Sequence, residues 1–163
     1  MIRTAKQEDS TNLAALSIQV WLHTYAIDGI RIEISEFVMS NFTMKHFENL
    51  VSSPMRRTLV YILEDHLVGY IMINLESYWQ DKSNGFEIEK FYIQEHFQGK
   101  GIGRKLLSEV SNLFGCSYWL SVWVHNVKAI EFYKHFGFRD SGRVEFVLGN
   151  ESHENRVLVY KRI

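Results

Sequence analysis

Gln98-Gly99-Lys100-Gly101-Ile102-Gly103-Arg104 is a glycine-rich turn between a predicted strand and a predicted helix. Glycine accepts a positive φ and lets a ligand approach the backbone with no Cβ in the way. The unpaired N–H groups at the start of the next helix, together with the helix dipole, favour phosphate oxygens. The side chains of Lys100, Arg104 and Lys105 add positive charge at the same place. The turn therefore predicts a binding site for a ligand that carries a pyrophosphate.

The spacing of the glycines argues against two common nucleotide sites. A dinucleotide fingerprint needs G-x-G-x-x-G, whereas this turn has G-x-G-x-G, and the predicted strand 118–124 has no acidic residue for a ribose. A mononucleotide phosphate loop needs Ser or Thr after Gly-Lys, but Gly101 follows Gly99-Lys100. A plain strand-to-helix turn with two helpful glycines is the remaining alternative.

The hydrophobic pattern predicts one mixed α/β (α+β) domain over residues 1–163. Gly29 should separate two helical pieces in residues 21–51, and Glu64-Asp65-His66 should form a hairpin turn. The predicted order is a strand (2–5), helices (10–51), three strands (58–63, 67–75, 86–93), a helix (104–113), a strand (118–124), a helix (127–135) and two antiparallel strands (143–148, 156–161).

Composition narrows the function classes. The 163 residues are 46% hydrophobic, which is too apolar for a disordered chain, and the apolar runs are too short for a membrane span. The net charge of -1 argues against a nucleic-acid partner, because phosphate contacts need a basic excess. Residues 1–9 contain no apolar signal-peptide segment, and the single cysteine, Cys116, cannot form an internal disulfide. We therefore expect a cytoplasmic location.

Two motifs together resemble the GNAT superfamily of N-acetyltransferases. Gln98 to Gly103 fits the Q/R-x-x-G-x-G/A element that binds coenzyme A in that family. Asn126, Ala129 and residues 132–138 (Phe-Tyr-Lys-His-Phe-Gly-Phe) are similar to its N-x-x-A-x-x-F-Y-x-x-x-G-F element. The resemblance implies the GNAT fold, a central, mostly antiparallel twisted sheet of about seven strands flanked by about four helices. It also implies acetyl-CoA as the co-substrate.

Weaker similarities point to a subgroup. Residues 24–26, 120–123 and 146–150 resemble bacterial spermidine/spermine N-acetyltransferases. The chain departs from that subgroup at Val124, where an acid is often found, and at residues 155–158, which lack the usual acidic-then-methionine pattern. The resemblance implies a small-molecule amine as the acceptor, such as a polyamine.

The resemblance also implies roles for individual residues. Phe91, Tyr92 and Ile93 would present backbone groups to the pantetheine arm. Asn126 would contact the cofactor or cap a helix, Lys134 would reach a coenzyme phosphate and Tyr133 would stand near the sulfur. The residues that would hold the pyrophosphate are Gln98, Gly99, Lys100, Gly101, Ile102, Gly103 and Arg104.

Three residues are candidates for proton transfer. Glu87 and Glu89 alternate along one predicted strand, so both should project to one face, and either would accept a proton from the amine. Glu87 occupies the place of the base in histone-type members of the family, whereas Glu89 fits the subgroup, where an acid binds a cationic substrate. A phenol has a suitable pKa to protonate a departing thiolate, so Tyr133 is the candidate acid. Solvent-exposed glutamates and a packed tyrosine ring are the alternatives.

Aromatic residues are candidates for the acceptor pocket, because an aromatic wall favours a cationic amine. Trp21, Tyr25 and Trp123 are the main candidates, with His23, Tyr78 and Trp79 also considered, and core packing is the alternative. The seven histidines have no metal-ligand spacing, so we predict no metal.

Three functions remain open. The first is acetylation of a small amine, the second is acetylation of a protein or peptide, and the third is a non-catalytic coenzyme A binding or sensing module. The two closing strands should leave an exposed sheet edge, which is compatible with a homodimer.

Overall fold

A computed structural model describes residues 1–162 of the chain. Its helices are α1 (Ser10–Tyr25), α2 (Ile32–Asn41), α3 (Met44–Ser52), α4 (Ile102–Phe114) and α5 (Val127–Phe136). Its strands are β1 (Ile2–Thr4), β2 (Arg56–Leu63), β3 (His66–Asn74), β4 (Phe86–Ile93), β5 (Ser117–Trp123), β6 (Arg139–Leu148) and β7 (Glu151–Lys161).

The seven strands form one sheet in the order β1-β2-β3-β4-β5-β7-β6. Neighbouring strands are antiparallel except β4 and β5, which are parallel. The prediction of a mixed, mostly antiparallel sheet of seven strands is therefore confirmed. Because two parallel strands can be joined only by a connection that crosses over the sheet, the chain between β4 and β5 has room for the glycine-rich turn and α4.

The N-terminal helical region has one more break than predicted. Trp21 belongs to α1, and the segment after it contains two further helices, so the described residues contain five α-helices, in keeping with the expectation of about four. The additional break is at Phe42-Thr43, where the Thr43 hydroxyl accepts a hydrogen bond from the His46 N–H at 3.1 Å and caps α3. Threonine favours this capping position over a helix interior. None of the helices within residues 1–162 is long and apolar enough to cross a membrane.

The last two strands are longer than predicted. β6 begins at Arg139 and β7 at Glu151, whereas the apolar pattern predicts 143–148 and 156–161. The first half of β6 consists of polar residues and a glycine, most of them exposed, so the sequence there has no hydrophobic pattern that would predict a strand. β6 lies at the edge of the sheet, as expected.

Apolar side chains cover both faces of the sheet. One core, under α4 and α5, contains Leu106, Leu107 and Tyr118. The other, under α1, α2 and α3, contains Leu13 and Phe47. Because the centre of the sheet is packed on both sides, β4 and β5 are held rigidly where they border the site.

Candidate active site

The strands β4 and β5 pair at one end only and then diverge. Their register contains two pairs, Phe86 with Tyr118 and Glu87 with Trp119. Just beyond this point β4 has a β-bulge: Ile88 lies opposite Ile73 and Lys90 opposite Met72, so that Glu89 is the extra residue. A bulge bends its strand and increases the local twist. The β5-facing edge of β4 is consequently left open towards its C-terminal end.

The opening between the two strands is a cleft with a volume of about 1130 Å³. The end of α1, the turn before α4 and the first turn of α5 complete its walls. Most of the predicted site residues line it: Trp21, Tyr25, Glu89, Phe91, Tyr92, Ile93, Gln98, Gly99, Gly101, Ile102, Gly103, Arg104, Trp123, Asn126 and Tyr133. Glu87, Lys100 and Lys134 are not part of this lining.

The glycine-rich turn presents free N–H groups at one end of the cleft. Gly101 has φ 80° and sits at the N-cap position of α4, a conformation that favours glycine. The first helical hydrogen bond in α4 is donated by the Lys105 N–H to the Gly101 carbonyl at 3.1 Å. The N–H groups of residues 102–104 precede this bond, so they are available to an anion.

Side-chain contacts hold the turn and its charges in place. The Gln98 amide donates to the Ile93 carbonyl at 3.0 Å, which ties the turn to the end of β4. The Arg104 guanidinium lies 5.5 Å from the centre of the Phe136 ring, and the Lys100 ammonium 5.1 Å from that of Phe97. Two cations therefore stand beside the free N–H groups.

A group of tyrosines lies in the middle of the cleft. The Tyr133 ring packs against Phe91 and Phe138, and burial holds the pKa of its phenol well above the ordinary value. Burial also raises the pKa of Tyr25 to about 12. Phenols with raised pKa values stay protonated near neutral pH, so both hydroxyls keep a proton that can be donated in a hydrogen bond, although burial makes them weaker acids than a free phenol. Asn126 occupies the N-cap of α5 but makes no side-chain capping bond.

The two predicted carboxylates differ sharply in their surroundings. Burial alone would raise the pKa of Glu89, but hydrogen bonds from Arg56 and Asn74 outweigh it and hold that pKa below the ordinary value. Burial raises the pKa of Glu87, against the opposing hydrogen bond from the Ser77 hydroxyl at 2.6 Å. Glu89 therefore lines the cleft as a carboxylate, while Glu87 has the greater affinity for a proton.

Stacked aromatic rings form the wall on the α1 side. The Trp21 ring lies 4.1 Å from Tyr25 and 4.3 Å from Phe37, and the Tyr25 ring lies 4.9 Å from Trp123 (centroid distances). Tyr25 thereby joins the helical layer to β5. Such a wall, next to a carboxylate, suits an apolar chain that carries a positive charge.

Two of the aromatic candidates lie elsewhere. Tyr78 and Trp79 belong to the connection between β3 and β4 and do not line the cleft. The Trp79 indole donates to the Ser141 hydroxyl at 3.1 Å, and its ring lies 5.9 Å from that of Trp119. Trp79 thus fastens this connection to β6, a role that its position in the sequence does not reveal.

Sequence reasoning missed several residues of the site. Glu95 pairs with His23 across the mouth of the cleft (Nδ1 to Oε2, 3.2 Å). Arg56, Asn74 and Ser77 bind the two carboxylates from β2, β3 and the connection after β3. A hairpin register would suggest that Arg56 and Asn74 are neighbours, but the bulge that brings Glu89 to them has no sequence signal. Within residues 1–162, no three His, Cys, Asp or Glu side chains are grouped as metal ligands.

Comparison with protein families gives one clear match. The model of the acetyltransferase (GNAT) family matches residues 21–138, which include the end of α1, the whole of β4, the glycine-rich turn and α5.

Individual relatives and structures agree with this match. A spermine/spermidine N(1)-acetyltransferase of Bacillus subtilis (strain 168) is 37% identical over 90 residues, which are 51% of this chain and 59% of that enzyme. The chain thus matches little more than half the length of that relative. A thialysine N-epsilon-acetyltransferase of Bos taurus is 26% identical over 149 residues, covering 89% of this chain and 87% of the relative. The crystal structure of the PaiA N-acetyltransferase from Thermoplasma acidophilum, in complex with coenzyme A, has the same fold. It superposes with a TM-score of 0.81 at 20% identity, covering 99% of this chain and 98% of that one.

Proposed function

This chain belongs to the GNAT family of acetyltransferases, and we propose that it acetylates a primary amine of a small, polyamine-like molecule with acetyl-CoA. The observation that carries the proposal is the divergence of β4 from β5, which opens a cleft with free N–H groups at one end and the Tyr133 phenol among its lining residues.

The residues of the cleft fit coenzyme A. The N–H groups of residues 102–104 and the nearby Arg104 match the charge of a pyrophosphate. The open edge of β4 at Phe91–Ile93 matches the amide groups of a pantetheine arm, which would extend the sheet. Asn126, whose side chain makes no capping bond, lies on the opposite wall. Lys100 and Lys134 are exposed and would meet phosphate groups that extend out of the cleft.

The proposed chemistry is direct transfer. When bound, acetyl-CoA supplies a thioester whose carbon–sulfur bond is exchanged for a carbon–nitrogen bond to the amine. An alkyl ammonium has a pKa of about 10.4 and is almost wholly protonated at neutral pH, so a base must take up its proton. Glu87, with its raised pKa, accepts that proton through a water molecule. Tyr133, which stays protonated, donates a proton to the departing sulfur, and the nitrogen gives its second proton to the resulting phenolate as the amide forms.

The acceptor side of the cleft supports a cationic amine. Trp21, Tyr25 and Trp123 form its aromatic wall, and Glu89 is a carboxylate at its edge. The Bacillus subtilis relative is named for spermine and spermidine, which carry several ammonium groups on an apolar chain. These features together favour a polyamine over a neutral acceptor.

Release of free thiol from acetyl-CoA tests the proposal. The panel contains spermidine, spermine, thialysine, aminoglycosides and lysine peptides, and we expect saturable turnover with the polyamines. Glu87→Gln and Tyr133→Phe should each lower kcat, whereas Glu131→Gln, at an exposed position on α5, should not. Turnover restricted to peptides would contradict the small-molecule acceptor. Coenzyme A binding by calorimetry without turnover on any amine would favour a sensing module instead.

A homodimer and a cytoplasmic location stay predictions. β6 is an exposed edge strand, which supports self-association. Light scattering after gel filtration would show whether the mass is one or two chains.

A further inference from the structure

Three polar residues stand in one row across the sheet. Arg56 of β2 is paired with Asn74 of β3, which is paired with Glu87 of β4. Paired residues project to the same face of a sheet, so all three side chains share one face. In a regular strand Glu87 would be the carboxylate closest to this row. The bulge instead inserts Glu89 beside Asn74, where it reaches Arg56 first.

The hydrogen bonds to the two carboxylates are unequal. Glu89 accepts three: from Arg56 Nε at 2.7 Å, from Arg56 Nη2 at 2.9 Å and from Asn74 Nδ2 at 2.9 Å. Both of its oxygens are engaged, and the guanidinium binds them as a two-pronged pair. Within the described residues, the hydrogen bond from the neutral Ser77 hydroxyl is the single one to the Glu87 carboxylate. Charge-assisted, bidentate bonds are about twice as strong as neutral ones.

We propose that Arg56 is a positioning residue: by holding Glu89 as a paired carboxylate, it leaves Glu87 alone to exchange a proton with the acceptor amine. The proton-transfer half of this inference rests on the proposed function, whereas the pairing half does not. Arg56 need not touch the amine or the acetyl group, because it acts through Glu89.

Other charged groups surround this arrangement, and their effects on Glu87 oppose one another. Lys90 follows Glu89 on β4, and its ammonium lies 6.0 Å from the centre of the Phe42 ring. The charges of Lys90 and Arg56 lower the pKa of Glu87, while that of Glu89 raises it. His46 on α3 faces Lys90 and Arg56, and burial and then these two cations lower its own pKa, so it is neutral near pH 7. The arginine is therefore the one cation bonded directly to either carboxylate among the described residues.

Removal of Arg56 has a predictable sign. In Arg56→Met, Glu89 stays half-buried with its charge unpaired, so its pKa rises. The unpaired carboxylate also repels the charge on Glu87, so the pKa of Glu87 rises as well. Loss of one close opposite charge shifts a carboxylate pKa by roughly one unit or more. Arg56→Lys keeps a point charge but loses the two-pronged geometry, and its shift should be smaller.

Carbon-13 NMR titration of labelled glutamate carboxyls measures this pairing without any substrate. We expect Glu89 in Arg56→Met to titrate roughly one pH unit or more above its wild-type value. The matched control is Arg57→Met, since Arg57 is adjacent, exposed, and donates to the carbonyls of Pro54 and Arg56 and to neither glutamate. Unchanged titration of Glu89 in Arg56→Met would overturn the inference, and so would an equal shift in Arg57→Met.

A kinetic experiment tests the role in proton transfer. The acid limb of the kcat/KM profile should move to higher pH in Arg56→Met by roughly one unit. In the double variant Arg56→Met/Glu89→Gln it should return towards the wild-type position, because the charge that repels Glu87 is gone. A purely structural role of Arg56 predicts no such rescue. If no amine is acetylated while the NMR shifts appear, the proposed function fails and the pairing of Arg56 with Glu89 stands.

Discussion

Gly103 and Phe132 lie so close together that a Cβ on residue 103 would stand 3.0 Å from Phe132 Cζ. The same Cβ would lie 3.2 Å from Ile93 Cδ1 and 3.4 Å from Phe91 Cζ. The first turn of α4 is thus wedged between α5 and the end of β4. This close packing fixes the free N–H groups of the turn relative to the open edge of β4, so the glycine serves the geometry of the cleft.

Gly103→Ala should destabilise the protein. Alanine gains about 1 kcal/mol in a helix relative to glycine, but overpacking costs roughly 1–3 kcal/mol. The new methyl group would be in close contact with side chains of both α5 and β4, so movement of one side chain would not remove the overlap. We expect a net loss of about 1 kcal/mol, which lowers the Tm by roughly 2–4 °C in thermal denaturation.

Ser108→Ala is the control for Gly103→Ala. Ser108 is exposed on the same helix, where alanine adds helix propensity without crowding. Its Tm should stay the same or rise slightly. A Tm of Gly103→Ala at or above the wild-type value would contradict the packing argument.

Tyr133→Phe should remove catalysis and keep the fold. The ring packs against Phe91, Phe132 and Phe138, contacts that phenylalanine preserves. The missing hydroxyl deprives the departing thiolate of its proton donor, and we expect kcat to fall roughly 10²-fold or more in the thiol-release assay. Tyr160→Phe is the matched control, because Tyr160 packs 5.5 Å from Phe138 (centroid distance) and is not part of the cleft. Equal activity of wild type and Tyr133→Phe would rule out the acid role.

Much of the fold can be predicted from local sequence. β4 alternates, and Gly85 and Gln94 flank it, so its bounds of Phe86–Ile93 agree with the prediction. α5 ends at Phe136 because Gly137, with φ 123°, stops it. The glycine-rich turn could be recognised because its residue types and their spacing carry the chemistry directly.

The rest depends on contacts between distant segments. Arg56 binds Glu89 across 33 residues, and the bulge that brings them together arises from the pairing of β3 and β4, not from any residue type. The pKa values of Glu87 and Glu89 shift in opposite directions because of that pairing. The alternation of residues along β4 contains no information about the pairing, so the sequence alone could not distinguish the two glutamates. Trp79 was considered for the acceptor pocket but packs against β6 for a related reason: the sequence around an aromatic residue does not indicate which surface its ring contacts.

Asp9→Asn should destabilise the protein near neutral pH. The buried carboxylate accepts hydrogen bonds from Arg3 Nη1 at 2.8 Å, Arg3 Nη2 at 3.0 Å and the Lys6 N–H at 2.7 Å. These contacts join β1 to the start of α1, and hydrogen bonds to charged groups contribute about 1.5–3 kcal/mol. Urea denaturation at about pH 7 should show a loss of this size. Glu8→Gln, at the exposed neighbour, is the control and should change little.

The effect of Asp9 should depend on pH in a defined direction. The hydrogen bond from Arg3 holds the pKa of Asp9 below its ordinary value. The stabilisation is therefore complete above the unfolded-state pKa of about 3.9 and is lost as the pH falls through the lower pKa of the folded state. The difference in unfolding free energy between wild type and Asp9→Asn should shrink over that acidic interval. If the difference in unfolding free energy between the two proteins stays constant at pH values below about 3, this ion pair is excluded as its origin.

Ser77→Ala should move the acid limb of the pH–rate profile upward. The Ser77 hydroxyl donates to the Glu87 carboxylate at 2.6 Å and favours its charged form, so removal of the donor raises the pKa of Glu87. A neutral hydrogen bond contributes about 0.5–1.5 kcal/mol, which corresponds to a shift of roughly 0.4–1 pH unit. Because the base works in its ionised form, kcat/KM should decrease at pH values below the midpoint of the acid limb. It should change little at pH values well above that midpoint. Ser83→Ala is the control, since the Ser83 hydroxyl meets Lys161 and not Glu87. An acid limb that stays in place in Ser77→Ala would mean that Glu87 is not the group that titrates in this profile.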